Sequence, residues 1–306
     1  MKKQNATQTD YAYLAGYIDG DGCFHVGQYF STSRSKFRFN STIAITSTNR
    51  NTLRSFKNYF NGSVCTIKEE HDNCKTLYQY CLQNEHAANL TSKILAFLVE
   101  KQEEAKLFIK FIKSKRLKDR AKYINQMKIL KDITNLISKH HKKEFEQFKN
   151  TIVATKNDFA YLAGFIDAEC CLSIQKYKPK DKPNFVYKIL LRCNDTKAPV
   201  FKWLIQRFGG TISFIDRRNH KKARKNQLLW RLSGKALSKI LPNIYPFLKN
   251  KKPVCEELIK FYNTTLKNGG ARHTKEFRTS YAKIIKIRER IVQNVHKLNL
   301  KGIQNT

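Results

Sequence analysis

The sequence of 306 residues predicts an α+β fold in which one αββαββα unit occurs twice. Three observations lead there. Residues 10–24, DYAYLAGYIDGDGCF, laid over residues 158–172, DFAYLAGFIDAECCL, agree at 9 of 15 positions at an offset of 148. Two later landmarks recur in the same order: Leu53, Phe56 and Phe60 fall on Phe201, Leu204 and Phe208, and FLVEKQEEAKLFIKF (97–111) meets FLKNKKPVCEELIKF (247–261) at an offset of 150. The length also suits two domains of ordinary size, each able to bury its own core without a disulfide or metal staple.

Each unit opens with a helix, because Tyr13, Leu14, Tyr17 and Ile18 form one apolar stripe at i, i+1, i+4 and i+5. Asp10 is its expected N-cap, and Asp158 repeats that role. Two strand-like stretches follow at about 23–47 and 171–194, then a helix that ends in a Gly turn, then two more strands at about 63–83 and 211–233. Tyr78, Tyr80 and Trp230 are expected to pack within the sheets, as isolated strand aromatics usually do. Helices close each unit. The basic, mostly helical stretch 116–156 completes the first unit and leads to the second, and 271–306 looks like a matching terminal helix and tail. The expected division is a first domain at 1–135, a basic linker at 136–157 and a second domain with a helical tail at 158–306.

Charge narrows the function. Lys and Arg number 59 against 24 Asp and Glu, a net +35 that exceeds what solubility needs and implies a polyanionic partner. With 41% apolar and 12% aromatic residues, the charge decorates a folded body, and nucleic acid is the leading partner. No single amphipathic stretch collects the charge for a membrane surface, and no apolar run approaches 18 residues. Cys23, Cys65, Cys74, Cys81, Cys170, Cys171, Cys193 and Cys255 contain no CxxC pair and read as reduced thiols, those at 65, 74, 81 and 193 as small strand residues. With no signal-peptide pattern after Met1, an intracellular setting is expected. The Lys and Asn bias points to an A+T-rich genome such as that of a chloroplast or mitochondrion.

The nine-residue stretches LAGYIDGDG (14–22) and LAGFIDAEC (162–170) resemble the two signatures of a single-chain LAGLIDADG homing endonuclease. Two copies, each opening a unit of about 150 residues, extend the resemblance over nearly the whole chain. The resemblance implies two domains related by a pseudo-two-fold axis, with motif helices packed at the centre and saddle-shaped antiparallel sheets straddling duplex DNA. The residues agree with it, since Ala15, Gly16, Ala163 and Gly164 leave little side chain where two helices would touch. Each motif ends in an acid, Asp21 or Glu169, and like charges at helix C-termini call for a cation between them. Mg²⁺, in two or more ions, suits such oxygen donors. By the resemblance, the carbonyls of Gly20 and Ala168 join the acids, and Lys101 and Lys251 stand at the positions of the family's active-site lysines. Cys170 departs from the motif, which has Gly there, and a side chain at that position makes the second half-site geometry the weaker expectation.

Candidates for DNA contact follow from strand periodicity. A second strand through residues 34–39 puts Arg34, Lys36 and Arg38 on one face, and the second unit offers Lys176, Lys178 and Lys180, then Lys188 and Arg192. With Gln28, Gln79 and Gln175, these are candidates for reading base edges in the major groove. The tip RRNHKKARK (217–225) brings Arg217, Arg218, Lys221, Lys222 and Arg224 toward phosphate. The run KSKRLKDR (113–120) fits either phosphate contact or an exposed helix face. Together these features predict a monomeric, Mg²⁺-dependent endonuclease that cuts one phosphodiester in each strand of a long, asymmetric duplex and promotes mobility of the intron or element encoding it. The alternatives are an intron RNA maturase on the same scaffold and a DNA-binding protein without catalysis.

Overall fold

A computed structural model describes residues 5–68, 75–133, 144–145, 147–148, 150–180, 185–196, 199–217, 226–264 and 275–301. The first unit runs α1 (Gln8–Asp21), β1 (Gly22–Ser31), a short 3-10 turn (Thr32–Arg34), β2 (Lys36–Ser47), α2 (Arg50–Phe60), β3 (Ser63–Lys68), β4 (Leu77–Gln83), α3 (Asn84–Ile94), α4 (Gln102–Lys113) and α5 (Leu117–Ile133). The second runs α6 (Lys156–Glu169), β5 (Cys170–Tyr177), β6 (Val186–Asp195), α7 (Pro199–Phe208), β7 (Thr211–Ile215), β8 (Gln227–Ser233), α8 (Gly234–Ile244), α9 (Lys252–Asn263) and α10 (Lys275–Lys301). Each sheet is antiparallel and four-stranded, in the orders β1-β2-β4-β3 and β5-β6-β8-β7. The predicted unit is therefore present twice.

The motif helices start one turn earlier than the apolar stripe suggests. Thr7 is the N-cap of α1, its Oγ1 accepting from Asp10 N at 3.3 Å while Thr7 N donates to Asp10 Oδ2 at 2.9 Å. Thr155 and Asp158 repeat this reciprocal box on α6 at 3.2 and 2.8 Å. Asp10 and Asp158 are thus the third helical residues rather than the caps, because an acid placed there reaches back to the free N–H of a capping Thr.

At the centre α1 lies against α6 with its backbone almost touching. A Cβ on Gly16 would collide with the carbonyl oxygen of Tyr161, and one on Gly164 with that of Tyr13, so only glycine permits this approach. Residues all around both helices are buried, which is why neither shows an amphipathic face: one side meets its own sheet and the other meets the partner helix.

Period-2 alternation gives each sheet a face covered by helices and a face free of them. On β2, Ile43 and Ile45 are fully buried toward the helices, while Lys36, Arg38, Asn40, Thr42, Ala44 and Thr46 lie on the other side. Tyr80 and Trp230 pack in the cores as expected, with Trp230 Nε1 donating to Gly209 O at 2.8 Å. α5 and α10 seal the outer strands. Lys131 Nζ donates to Phe24 O at 2.9 Å, and Asn299 Nδ2 donates to the equivalent carbonyl, Leu172 O, at 3.0 Å.

One cysteine expectation is overturned. Cys170 and Cys193 form a disulfide, because the β5–β6 register sets them directly opposite with Cα atoms 4.3 Å apart. A separation of 23 residues carries no signature of this pairing. Cys23, Cys65, Cys81, Cys171 and Cys255 are free, and Cys74 lies outside the described residues.

Candidate active site

The site grows from the C-terminal ends of α1 and α6. Asp19 and Asp167, the first acids of the two motifs, are 1% and 2% exposed, so their charges need compensation inside the protein. Asp19 receives the backbone N–H groups of Val99 (2.8 Å), Glu100 (3.1 Å) and Lys101 (2.9 Å), which open α4, and the hydroxyl of Tyr161 on the opposite motif helix at 2.7 Å. Asp167 does the same with Lys249 N (2.7 Å), Asn250 N (3.0 Å), Lys251 N (2.7 Å) and Tyr13 Oη (2.7 Å). A carboxylate at a helix N-terminus meets aimed N–H groups and a favourable dipole.

The same loops return a cation to the motif helices. Lys101 Nζ donates to Ile18 O (2.6 Å), Asp19 O (2.8 Å), Gly20 O (3.3 Å) and Gly22 O (2.9 Å), and its residue is 6% exposed. It therefore gathers the carbonyls at the end of α1, adding a donor to Ile18 O, which also accepts from Gly22 N. Lys251 is less committed, reaching Ile166 O at 2.5 Å and Asp167 O at 3.0 Å. Burial holds the Lys251 ammonium below its ordinary range. Each acid thus anchors the loop that carries the lysine, and each lysine anchors the helix that carries the acid.

Asp21 and Glu169 emerge from this frame with side chains open to solvent. A Cβ on Gly20 would stand 2.5 Å from Ala168 Cβ and 3.0 Å from Glu169 Cγ, so the two helix ends meet here. Asp21 and Glu169 lie close enough for each to shift the ionisation of the other. Partial burial raises the pKa of Asp21, against the pull of Lys251 and Lys101. Partial burial, and then the charges of Asp21 and Asp195, push Glu169 up to about 7. Two acids that resist joint ionisation, beside backbone carbonyls at helix ends, form an oxygen donor set that suits a hard divalent cation. Among the described residues, no group of three His, Cys, Asp or Glu side chains forms a further metal cluster.

At Cys170 the backbone follows the same course as at Gly22. Its φ of −99° and ψ of 161° nearly equal the −86° and 160° of Gly22, an extended conformation open to any residue.

The helix-free faces carry many of the predicted contact residues. Cross-strand neighbours share a face, so Lys36, Arg38 and Gln79 lie on it in the first sheet, and Gln175, Lys188 and Arg192 in the second. Gln28 does not: it faces Phe39, whose ring packs on Phe111, and so projects toward the helices. Lys176 also turns away, pairing with Tyr187 on the helix side and binding Glu289 of α10 at 2.6 Å. Arg34 sits in the turn before β2, and Lys178 and Lys180 lie beyond the end of β5, so strand alternation fixes the face of none of them. Arg217 donates its backbone N–H to Asn226 Oδ1 at 3.2 Å, whereas Arg218, Lys221, Lys222 and Arg224 lie outside the described residues. In the run 113–120, Arg120 stacks over Phe39 and Phe111 and bonds Ser114 O, so it packs. Sequence reasoning passed over Asp19, Asp167, Tyr13 and Tyr161, although the repeat placed all four in equivalent positions, and it passed over Arg231 on β8.

Duplicated sheets, two motif helices in backbone contact and one solvent-facing acid from each define a two-domain protein with a composite central site. Residues 14–131 match the sequence profile described as LAGLIDADG endonuclease. Among solved structures, the LAGLIDADG homing endonuclease I-SmaMI bound to cleaved DNA aligns with a TM-score of 0.63 at 16% identity, covering 99% of this chain and 100% of that one. I-LtrWI bound to target DNA aligns at 0.59 and 20% identity, over 92% and 97%. I-SmaMI with an uncleaved target and calcium aligns at 0.57 and 18%, over 91% and 97%. Identities this low establish the fold. No curated protein sequence matches the chain. The family match thus spans the first unit, and the chain as a whole has the two-domain fold of these structures.

Proposed function

We propose that this protein is a site-specific DNA endonuclease that hydrolyses one phosphodiester in each strand of a long duplex and so promotes mobility of its encoding element. The observation that carries the proposal is the meeting of Asp21 and Glu169 at adjoining helix ends, one acid from each half. Two basic, helix-free sheet faces of different sequence support a duplex partner and an asymmetric target. The similar structures of I-SmaMI and I-LtrWI hold DNA, which favours the same partner here.

In this proposal Asp21 and Glu169, with the carbonyls of Gly20 and Ala168, hold Mg²⁺, in two or more ions. When bound, Mg²⁺ lowers the pKa of water and stabilises charge on phosphate and leaving oxygen. The chain itself does the positioning. Lys101 and Lys251 fix the helix ends and add positive charge beside both acids, which offsets part of the burial that favours their protonated forms. Asp19 and Asp167 hold those lysines in place through three backbone N–H groups each. One acid serves each strand, so the two cuts have separate sensitivity to mutation.

The test is cleavage of a plasmid library with randomised inserts. Wild-type protein with Mg²⁺ linearises members that carry a target, and Asp21→Asn lowers that rate by on the order of 10²–10³ or more while retaining binding. Tight, sequence-selective binding by the wild type without any strand break would refute the nuclease assignment.

A further inference from the structure

The rung of the second sheet closest to the paired acids carries two arginines that have no counterparts in the first. Across the helix-free face this rung reads Cys171 on β5, Arg192 on β6, Arg231 on β8 and Thr211 on β7. The equivalent rung of the first sheet reads Cys23, Ala44, Cys81 and Ser63. The offsets of 148 and 150 that relate the halves put Arg192 on Ala44 and Arg231 on Cys81. The halves are therefore chemically opposite at this level.

Arg192 and Arg231 are both exposed and directly opposite each other on neighbouring strands. Like charges so placed repel and weaken the sheet. No ion pair among the described residues relieves either of them. Such a pair persists most readily where a ligand supplies what the protein does not. Both strands are interior in the order β5-β6-β8-β7, so their side chains rise from the middle of the face. A duplex lying along that face presents its groove floor to the middle and its phosphates to the edge strands and hairpin tips. Base edges, rather than phosphates, are what these two guanidinium groups meet.

We infer that Arg192 and Arg231 read guanine in one half of the target close to the cut, and that the other half carries no such requirement. This rests on the proposed DNA-cleaving function. Guanine is the base whose O6 and N7 both accept, and a guanidinium fork satisfies the two at once. Cys171, which opens the rung, is two residues past Glu169, about 7 Å along an extended strand. At about 3.4 Å per base pair, the guanines then fall within about half a helical turn of the cleaved bonds. Ala44 and Cys81 offer no such donors, and their small side chains leave the pseudo-symmetric base pairs free to vary.

The experiment is selection of bound duplexes from a randomised library by the full chain in Ca²⁺. Wild type, Arg192→Ala, Arg231→Ala and Arg192→Lys are compared. Wild type should enrich guanine at two positions in one half-site and at neither equivalent position in the other. Each alanine variant should lose about 5- to 150-fold of the preference at one position, the span expected for a bidentate contact. Arg192→Lys, which keeps the charge but not the fork, should lose the preference with an unchanged salt slope. If the alanine variants bind every sequence equally more weakly and each salt slope falls by about 1, the arginines grip phosphate and the inference is wrong. Guanine enriched equally in both half-sites would overturn it too. A library in which wild type enriches no sequence would instead count against the DNA-cleaving function itself.

Discussion

Removing a single hydroxyl at the domain interface tests how far the two halves depend on each other. Tyr161→Phe deletes the Oη that donates to Asp19 Oδ2 at 2.7 Å from across the motif helices. Asp19 is 1% exposed, so water does not readily replace the lost donor, yet Val99 N and Glu100 N remain on the same oxygen at 2.8 and 3.1 Å. A hydrogen bond to a charged group contributes about 1.5–3 kcal/mol, and the two remaining donors favour the lower end. We therefore expect a loss of about 1.5–2 kcal/mol. Tyr13→Phe removes the matching 2.7 Å bond to Asp167, and the double variant should lose about 3–4 kcal/mol, a large share of ordinary stability. Urea unfolding followed by circular dichroism gives both values, with the m-value reporting whether the halves still unfold together. A loss below about 0.5 kcal/mol for each single variant would refute the idea that these buried acids draw on the opposite helix.

Lys101→Met should cost about 2–4 kcal/mol, measured in the same way, because four carbonyls at the end of α1 lose their shared donor; Lys251→Met, with two such contacts, should cost less. The pH response of the metal-free protein follows from Glu169, which the fold holds protonated up to about 7 while the unfolded chain releases the proton near 4.5. Its contribution to stability is therefore greatest below that lower value and is lost as pH rises toward 7. Thermal melts across that window should show Glu169→Gln losing stability less steeply than wild type, and Mg²⁺ should narrow the gap.

The order of helices and strands was legible because the chain states it twice: Phe201, Leu204 and Phe208 confirm what Leu53, Phe56 and Phe60 imply. The meeting of Asp21 with Glu169 followed from glycines that allow two backbones to approach. What stayed hidden depends on register and on partners distant in sequence. Asp19 looks like any helix-end acid until Val99, Glu100 and Lys101 are brought to it across 80 or more residues. Gln28 and Lys176 were misplaced because a strand has two faces, and only their neighbours Phe39 and Tyr187 show which one each occupies. The Cys170–Cys193 bond was invisible for the same reason.

The crossed tyrosine–aspartate bonds are reciprocal, Tyr13 to Asp167 and Tyr161 to Asp19. Two separate copies of the first half could make them equally well, Tyr13 of each reaching Asp19 of the other. What joins the halves is thus independent of what distinguishes them, since Ala44 and Cys81 in one sheet hold the places of Arg192 and Arg231 in the other, and none of the four takes part in the crossed bonds. A fused duplicate built this way can change one recognition surface at a time without renegotiating its own assembly.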